Sequence, residues 1–163
     1  MQPERQQRLI GYFIEEAKMH LDTLEQGLVN LTSQLDKYSV VNELLFASNS
    51  LAGGASMIGI DSISKVCYGL KCCFQLLQLE GSVKIDLKLK KLFMQVFDGI
   101  KELVEHLGES SGITDAKAVM VMSKIEINMA EIRDYIDLMM KRSHDETPTF
   151  LNDETLSMFD DFF

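Results

Sequence analysis

Histidine and cysteine are the residues of this chain most able to act as nucleophiles or to bind metal, and the sequence contains three of each. A neutral imidazole and a thiolate both carry a reactive lone pair. The cysteines, Cys67, Cys72 and Cys73, fall within one short segment that contains no histidine. Because zinc would need further ligands near them, we predict buried, reduced thiols, with no metal site and no other cofactor.

The three histidines are scattered along the chain. His20 is adjacent to Leu21, which belongs to an apolar helical repeat, and we predict that it flanks the core. His106 comes near the end of a predicted helix, where the helix dipole favours a cation. His144 lies in a polar C-terminal segment. These surroundings do not predict a catalytic histidine.

The stretch at residues 46–59, FASNSLAGGASMIG, poses a different question. Its pattern is helical, yet it contains the adjacent glycines Gly53 and Gly54. Each glycine inside a helix costs about 1 kcal/mol relative to alanine. We interpret the glycine pair as clearance for another protein that approaches the backbone closely.

Helical geometry divides this stretch into two sides. The predicted core side consists of Leu44, Leu51, Ala55 and Ile58. The other side carries Asn49 and, one and two turns beyond it, the small residues Ala52, Gly53 and Ser56. An exposed stripe of small residues around one polar side chain is a good docking face, because a partner's backbone can come close to it.

Composition and charge limit the possible functions. The net charge of −9 argues against nucleic acid as a partner, because phosphates require a basic surface. The longest uninterrupted apolar run, residues 118–122, is too short to span a membrane. The N-terminal sequence MQPERQQR has no apolar signal segment. We therefore expect a cytoplasmic protein with protein partners.

The spacing of apolar residues predicts helices almost everywhere between the only two prolines, Pro3 and Pro148. The second predicted helix ends at Gly59, and Asp61 is the predicted N-cap of a third helix that stops at Gly81. The first predicted helix has a seam with steps of four and three, formed by Ile10, Ile14, Ala17, Leu21, Leu24, Leu28 and Leu31.

Two more helices complete the predicted domain. The fourth uses apolar residues from Ile85 to Leu107 and ends at Gly108, and Thr114 is the predicted N-cap of the fifth. The predicted buried side of the fifth helix consists of Ile125, Met129, Ile132 and Ile136. Five helices joined by short loops predict an all-α domain over residues 1–142, with an antiparallel four-helix bundle core.

The C-terminal segment, residues 143–163, has a different composition. Its sequence, SHDETPTFLNDETLSMFDDFF, contains six acidic residues, no lysine or arginine, and seven large apolar residues from Phe150 onward. One interpretation is a frayed tail or a linker. The other is a docking peptide that enters a groove on a partner or a neighbouring copy through Phe159, Phe162 and Phe163.

The stretch FASNSLAGGASMIG resembles the signature segment of histidine phosphotransfer (HPt) domains, particularly those at the N-terminus of chemotaxis-type histidine kinases of the cyanobacterial sort. In that family the helix carries a phosphorylatable histidine, a lysine three residues later, two glycines, and a small and apolar run that ends in glycine. The opening helix, YFIEEAKMHLDTLEQGL, is similar to the family's acidic first helix. The resemblance covers residues 9–136 and implies a phosphorelay module whose partner is a receiver domain or a kinase component.

The residues at the family's functional positions differ. By this resemblance, Asn49 occupies the position of the phospho-accepting histidine, and Ala52 that of the lysine that neutralises the phosphoryl group. In the third helix, Tyr68 replaces a second histidine found in the kinase branch, and Lys71 replaces the glutamate that orients the reactive imidazole. The glycine pair that begins at Gly53 is retained.

An asparagine amide cannot accept a phosphoryl group as imidazole does, because its nitrogen lone pair is delocalised into the carbonyl. We therefore predict a pseudo-HPt module that is not an enzyme. Its predicted partner-binding residues are Asn49, Ala52, Gly53, Ser56, Tyr68 and Lys71. Two alternatives remain: an active phosphotransfer protein that uses another histidine, and a helical oligomerisation domain joined through the first-helix seam or the aromatic tail.

Overall fold

The computed structural model describes residues 2–32, 37–79, 85–109 and 115–144. Within these ranges all regular structure is helical, which confirms the all-α prediction. No helix in the described ranges is both long and apolar enough to cross a membrane. The helices are α1 (Gln2–Asn30), α2 (Lys37–Met57), α3 (Asp61–Leu79), α4 (Leu87–Leu107) and α5 (Asp115–His144).

Several helix boundaries follow the capping signals in the sequence. α3 begins at Asp61, which was predicted as the N-cap and instead lies in the first turn of the helix, because the carbonyl of the preceding Ile60 accepts the bond from the Ser64 N–H at 3.1 Å. Asp86 caps α4, and its carboxylate accepts a hydrogen bond from the Leu89 backbone N–H at 2.9 Å. Gly108 ends the same helix, as predicted. Three predicted features lie outside the described residues: Gly81, Thr114 and the tail at 145–163.

The helices pack as a bundle. α2 lies between α1 and α3, and α4 lies between α1 and α5. α3 also contacts both α4 and α5, which closes the bundle around one core. The connections between consecutive helices are short, so neighbours in sequence run antiparallel.

α1 buries most of its predicted apolar seam, from Ala17 to Leu31. Its first two members, Ile10 and Ile14, are only partly buried. Phe13, which the four-and-three pattern missed, is buried in this first part of the helix. The prediction for α5 is confirmed, since the four residues assigned to its core side are buried: Ile125, Met129, Ile132 and Ile136.

Two glycines allow neighbouring helices to approach closely. A Cβ added at Gly27 of α1 would lie 2.6 Å from Cδ2 of Leu44 in α2. A Cβ added at Gly99 of α4 would lie 2.6 Å from Cγ1 of Ile125 in α5. Both contacts therefore require glycine, because a close-packed core cannot accommodate an added methyl group at these distances.

A hydrogen bond also joins α5 to the start of α4, where the Tyr135 hydroxyl donates to Oδ2 of Asp86. Partial desolvation raises the pKa of Asp86, but hydrogen bonds from Tyr135 and from backbone N–H groups outweigh it, and the net pKa lies below its ordinary value. The bond to the carboxylate raises the pKa of Tyr135. The α4 cap is therefore also a contact between two helices.

The substitution Asp86→Ala removes the cap and the contact with α5. We expect it to lower the free energy of unfolding by about 1 kcal/mol in urea denaturation at neutral pH. Since the folded-state pKa of Asp86 lies below its ordinary value of 3.8, its contribution is present above that pH and is lost as the pH falls through the folded-state pKa. The difference from wild type should therefore shrink in acid.

Asp98→Ala is the matched control for this prediction, because Asp98 is an exposed acidic residue within the same helix. It should change the free energy of unfolding very little. An equal loss of stability in the two variants would contradict the capping role of Asp86.

Candidate partner-binding surface

α2 presents Asn49 to solvent near the middle of the helix. Gly53 and Ser56, one and two turns later, are exposed as well. The neighbouring Ser48 is buried, and its hydroxyl donates a hydrogen bond to the Leu44 carbonyl at 2.9 Å. The predicted exposure of a polar residue followed by small residues is confirmed at Asn49, Gly53 and Ser56.

Ala52 does not belong to this exposed stripe, so the prediction that it is exposed is wrong. Its exposed fraction is 8%. The reason is that α3 packs against this side of α2, where the Ala52 carbonyl accepts a hydrogen bond from Oγ of Ser64 at 3.1 Å. The small side chain of Ala52 therefore serves the contact between two helices of the bundle.

The two adjacent glycines have different surroundings. A Cβ at Gly54 would lie 3.4 Å from two ring carbons of Phe13 in α1, so this glycine gives room to an internal aromatic ring. A Cβ at Gly53 would meet no atom of the described residues within 4 Å, apart from the nearby backbone of its own helix and its chain neighbours. The prediction that both glycines give clearance to a partner is thus wrong for Gly54, and internal packing does not explain Gly53.

α2 ends at Met57, two residues before Gly59, whose φ of 77° lies in the left-handed region that favours glycine. Its N–H donates to the Ser56 carbonyl at 3.1 Å, and the N–H of Ile60 donates to the Ala55 carbonyl at 2.9 Å. These two bonds form a Schellman motif. Ile58, assigned to the core side, is partly buried. The last glycine of the stretch therefore fixes the end of the helix.

Two large apolar side chains flank the exposed small residues, and the sequence prediction did not include them. Phe46 is 65% exposed and Met57 is 89% exposed. Phe46 precedes Gly53 by seven residues and Met57 follows it by four, so the three share one side of the helix. We name as the α2 outer face the residues Phe46, Asn49, Gly53, Ser56 and Met57.

The spacing of seven and four residues that links Phe46, Gly53 and Met57 can be read from the sequence and could have indicated the α2 outer face. The apolar residues of the core side have a similar spacing, however, and sequence alone does not say which of the two sides is covered by other helices. Only the packing of α1 and α3 against α2 identifies the uncovered side.

α3 brings Tyr68 and Lys71 to the edge of this surface. Two hydrogen bonds fix the antiparallel register of α3 against α2. The Ser64 hydroxyl donates to the Ala52 carbonyl, and the Gln78 side-chain amide donates to Oδ1 of Asn42 at 3.4 Å. Tyr68 and Lys71 lie between these two bonds, on the part of α3 that runs alongside Asn49.

The side chains of Tyr68 and Lys71 contact each other. Tyr68 is exposed and Lys71 is half-buried. Nζ of Lys71 lies 5.5 Å from the centroid of the Tyr68 ring, within the range of a cation–π interaction. This contact holds a positive charge beside the uncovered side of α2.

The cysteines of α3 are free thiols and buried, as predicted. Burial raises the pKa of Cys67 to about 12 and the pKa of Cys73 well above its ordinary value. Burial also raises the pKa of Cys72, although Lys71 and Tyr68 act in the opposite direction. These thiols are therefore poor nucleophiles. In the described part of the chain, no group of three or more potential ligands is placed to hold a metal ion.

The side chains of His20 and His106 are each only 15% exposed. Nε2 of His20 lies 3.6 Å from Glu16, and its ring meets the edge of Phe46 with 6.3 Å between centroids. His106 lies between two glutamates, with N···O distances of 3.7 and 3.1 Å. Both imidazoles are therefore near carboxylates that would repel a phosphoryl group. His144 is the last residue of α5.

Comparison with known proteins agrees with this architecture. A family model described as the Hpt domain matches residues 8–110. The chain is 26% identical over 98 residues to the chemotaxis protein CheA of Borreliella burgdorferi. The match covers 60% of this chain and 11% of that protein, so the chain spans only a small part of its relative's length. No solved structure matches the chain.

The surroundings of the glycines predict opposite effects of alanine on stability. Gly53→Ala should raise the free energy of unfolding by roughly 0.5–1 kcal/mol, because the methyl group meets open space and alanine favours the helix. Gly11→Ala should give a similar gain, since Gly11 is exposed and has equal space. Gly27→Ala should be destabilising because of Leu44. A destabilising effect of Gly53→Ala in urea denaturation would show that Gly53 has an internal role.

Proposed function

The chain belongs to the Hpt domain family, a family of phosphorelay signalling modules, and we propose that it binds a receiver domain or a kinase component without transferring a phosphoryl group. The observation that carries this proposal is that α2 retains an accessible surface but lacks the reactive residue. Gly53 leaves open space that no residue in the described ranges fills. Asn49, beside it, stands where the resemblance places the reactive histidine.

Loss of the reaction follows from the chemistry of the side chains. Transfer from an aspartyl phosphate needs a nitrogen lone pair that is nucleophilic near neutral pH, and the Asn49 amide has none. Ala52 offers no charge to neutralise a phosphoryl group, and its side chain is buried. The Lys71 ammonium group is only a hydrogen-bond donor, so it cannot accept a hydrogen bond from the N–H of an imidazole as a carboxylate does. These replacements all act against phosphotransfer.

The α2 outer face has the composition of a protein-binding surface. Phe46 and Met57 supply apolar area on either side of a shallow centre formed by small residues. Aromatic residues and methionine are enriched at protein interfaces. Complete burial of such a side chain contributes about 1.5–3 kcal/mol. Because this face belongs to a packed helix, its backbone needs little ordering when a partner binds.

Lys71 supplies the electrostatic part of the proposed surface. By the family resemblance, the active site of a receiver domain is acidic. A positive charge held over the Tyr68 ring at the edge of α2 complements such a site. Complementary charge chiefly increases the association rate and the specificity of a complex. A partner that prefers one state of the receiver would then shift the receiver's conformational equilibrium.

The surroundings of the other histidines argue against phosphotransfer through a different residue. His20 and His106 are largely buried and near carboxylates, whereas an incoming aspartyl phosphate needs an accessible and electrostatically favourable site. Neither has the exposed glycine that opens the α2 outer face.

The oligomerisation alternative loses support from the fold. The α1 seam is packed within the core of a single molecule, so most of it offers no surface to another copy. A tail-mediated contact falls on residues outside the described ranges. We therefore retain receiver or kinase binding as the proposed function.

Receiver binding should depend on the space above Gly53. We expect Gly53→Gln to weaken binding of the partner receiver by tenfold or more, because a long side chain would occupy the space that the partner's surface must enter. A tenfold change in affinity corresponds to about 1.4 kcal/mol. The measurement is a calorimetric titration of the full chain with receiver domains from the same organism. Gly11→Gln is the matched control, since it adds the same side chain at another exposed and open helical glycine.

Equal affinities of wild type and the two glutamine variants would contradict docking on the α2 outer face. Circular dichroism of each variant separates a loss of binding from a loss of fold. Binding that weakens equally in Gly11→Gln and Gly53→Gln would argue for a different contact surface.

Phosphotransfer should be absent from the wild-type chain. After incubation with a ³²P-labelled phospho-receiver, we expect no acid-labile label on the chain, because Asn49 is no imidazole and the two described imidazole side chains, His20 and His106, are largely buried beside carboxylates. The double variant Asn49→His with Lys71→Glu should gain label, because it restores a nucleophile and its orienting carboxylate on an intact docking surface. Label on the wild-type chain would overturn the proposed loss of transfer, and an unlabelled double variant would argue against docking near Asn49.

A further inference from the structure

One end of the bundle carries a cluster of basic side chains. Lys88 and Lys91 lie in the first turns of α4, and Lys141 and Arg142 lie in the last turn of α5; all four are exposed. We call these four residues the basic end. The hydrogen bond from Tyr135 to the α4 cap places the start of α4 beside the C-terminal part of α5, nine residues before that helix ends. Within the described ranges, none of the four forms an ion pair with a carboxylate.

Apolar surface adjoins the basic end. Leu87 is 75% exposed at the start of α4, and Leu138 is exposed on α5. Between them, Nζ of Lys88 lies 5.0 Å from the centroid of the half-buried Tyr135 ring. A surface that mixes cations with exposed leucines is suited to a peptide that mixes carboxylates with large apolar side chains.

The chain itself contains such a peptide immediately after α5. Residues 145–163 include six acidic residues, seven large apolar residues and no lysine or arginine. They continue directly from His144, the last residue of α5, and so leave the bundle at the basic end. Without these residues the rest of the chain has a net charge of only −3, because six of the 25 acidic residues are in this segment.

We propose that residues 145–163 bind across the basic end and the adjoining α4–α5 groove of the same molecule. Their acidic side chains lie against the basic end, and their apolar side chains cover Leu87 and Leu138. This occupant is favoured over a second copy because direct attachment to α5 gives the segment a high effective concentration at this surface.

The segment is long enough to reach the proposed surface. Tyr135 precedes the end of α5 by nine residues, which is about 14 Å along a helix. Residues 145–150 span up to about 20 Å when extended, so Phe150 reaches the level of Tyr135. Farther along the same groove is a recess of about 410 Å³, partly lined by Val121, Ile125 and Ile127. Later aromatic residues of the segment can enter it.

The test places a nitroxide spin label on the full chain at Asn152→Cys and measures its effect on backbone amide signals. The native cysteines are buried in the folded protein and should not be modified. We expect the label to remove most of the amide intensity in two groups, residues 87–91 and 135–142. The amide signals of the α2 outer face should keep their intensity. The effect should weaken as the Debye length falls from about 10 Å at 0.1 M salt to about 3 Å at 1 M.

Charge reversal supplies a matched pair of variants. Lys88→Glu with Arg142→Glu should abolish the loss of intensity at the basic end, whereas Lys18→Glu with Lys101→Glu should leave it unchanged. Lys18 and Lys101 are also exposed, but they line a different groove, between α1 and α4. The amide spectrum of each variant reports directly whether the bundle remains folded.

Three results would overturn the proposal. The first is a loss of intensity that is uniform over the bundle or centred on α2. The second is an effect that persists after reversal of Lys88 and Arg142. The third is equal broadening in a mixture of spin-labelled chain and isotope-labelled chain without a spin label, which would show that the segment binds a second copy.

Discussion

The packing of α2 between α1 and α3 is the constraint on which the candidate site depends. On one side, Gly27 of α1 allows Leu44 to approach, and Gly54 allows Phe13 to pack on the α2 backbone. On the other side, Ala52 is small enough for α3 to come close and bond to its carbonyl. With two sides covered, the exposed residues of α2 from Phe46 to Met57 are those of its outer face, and a partner can contact them.

This constraint also accounts for how the helix could keep its shape if, as proposed, the chemistry is lost. A structural reason explains three of the small residues. Gly54 lies against an aromatic ring, Ala52 lies in the contact between α2 and α3, and Gly59 has a left-handed backbone conformation. Selection for stability alone would keep them. Gly53 has no such reason and lowers helix stability, since an exposed glycine within a helix costs about 1 kcal/mol relative to alanine. Gly53 is therefore the residue whose presence points most directly to a partner.

The sequence predicted the fold well because apolar periodicity and capping residues act locally. The end of α4 at Gly108 and the buried side of α5 follow directly from such signals. The site was predicted less completely. Ala52 was assigned to the exposed side, and Phe46 and Met57 were missed. Which side of a helix is covered depends on the placement of its neighbours, and the periodicity of one segment does not contain that information.

Titration of the isotope-labelled full chain with its receiver domain, followed by amide chemical shifts, tests the central claim most directly. If the α2 outer face is the docking surface, the largest shift changes will map to Asn49, Gly53 and Met57, and to the adjacent residues Tyr68 and Lys71 of α3. The amides of α4 and α5 far from this face will change little. Shift changes centred on His106 or on the α4–α5 groove, with none on α2, would contradict the account.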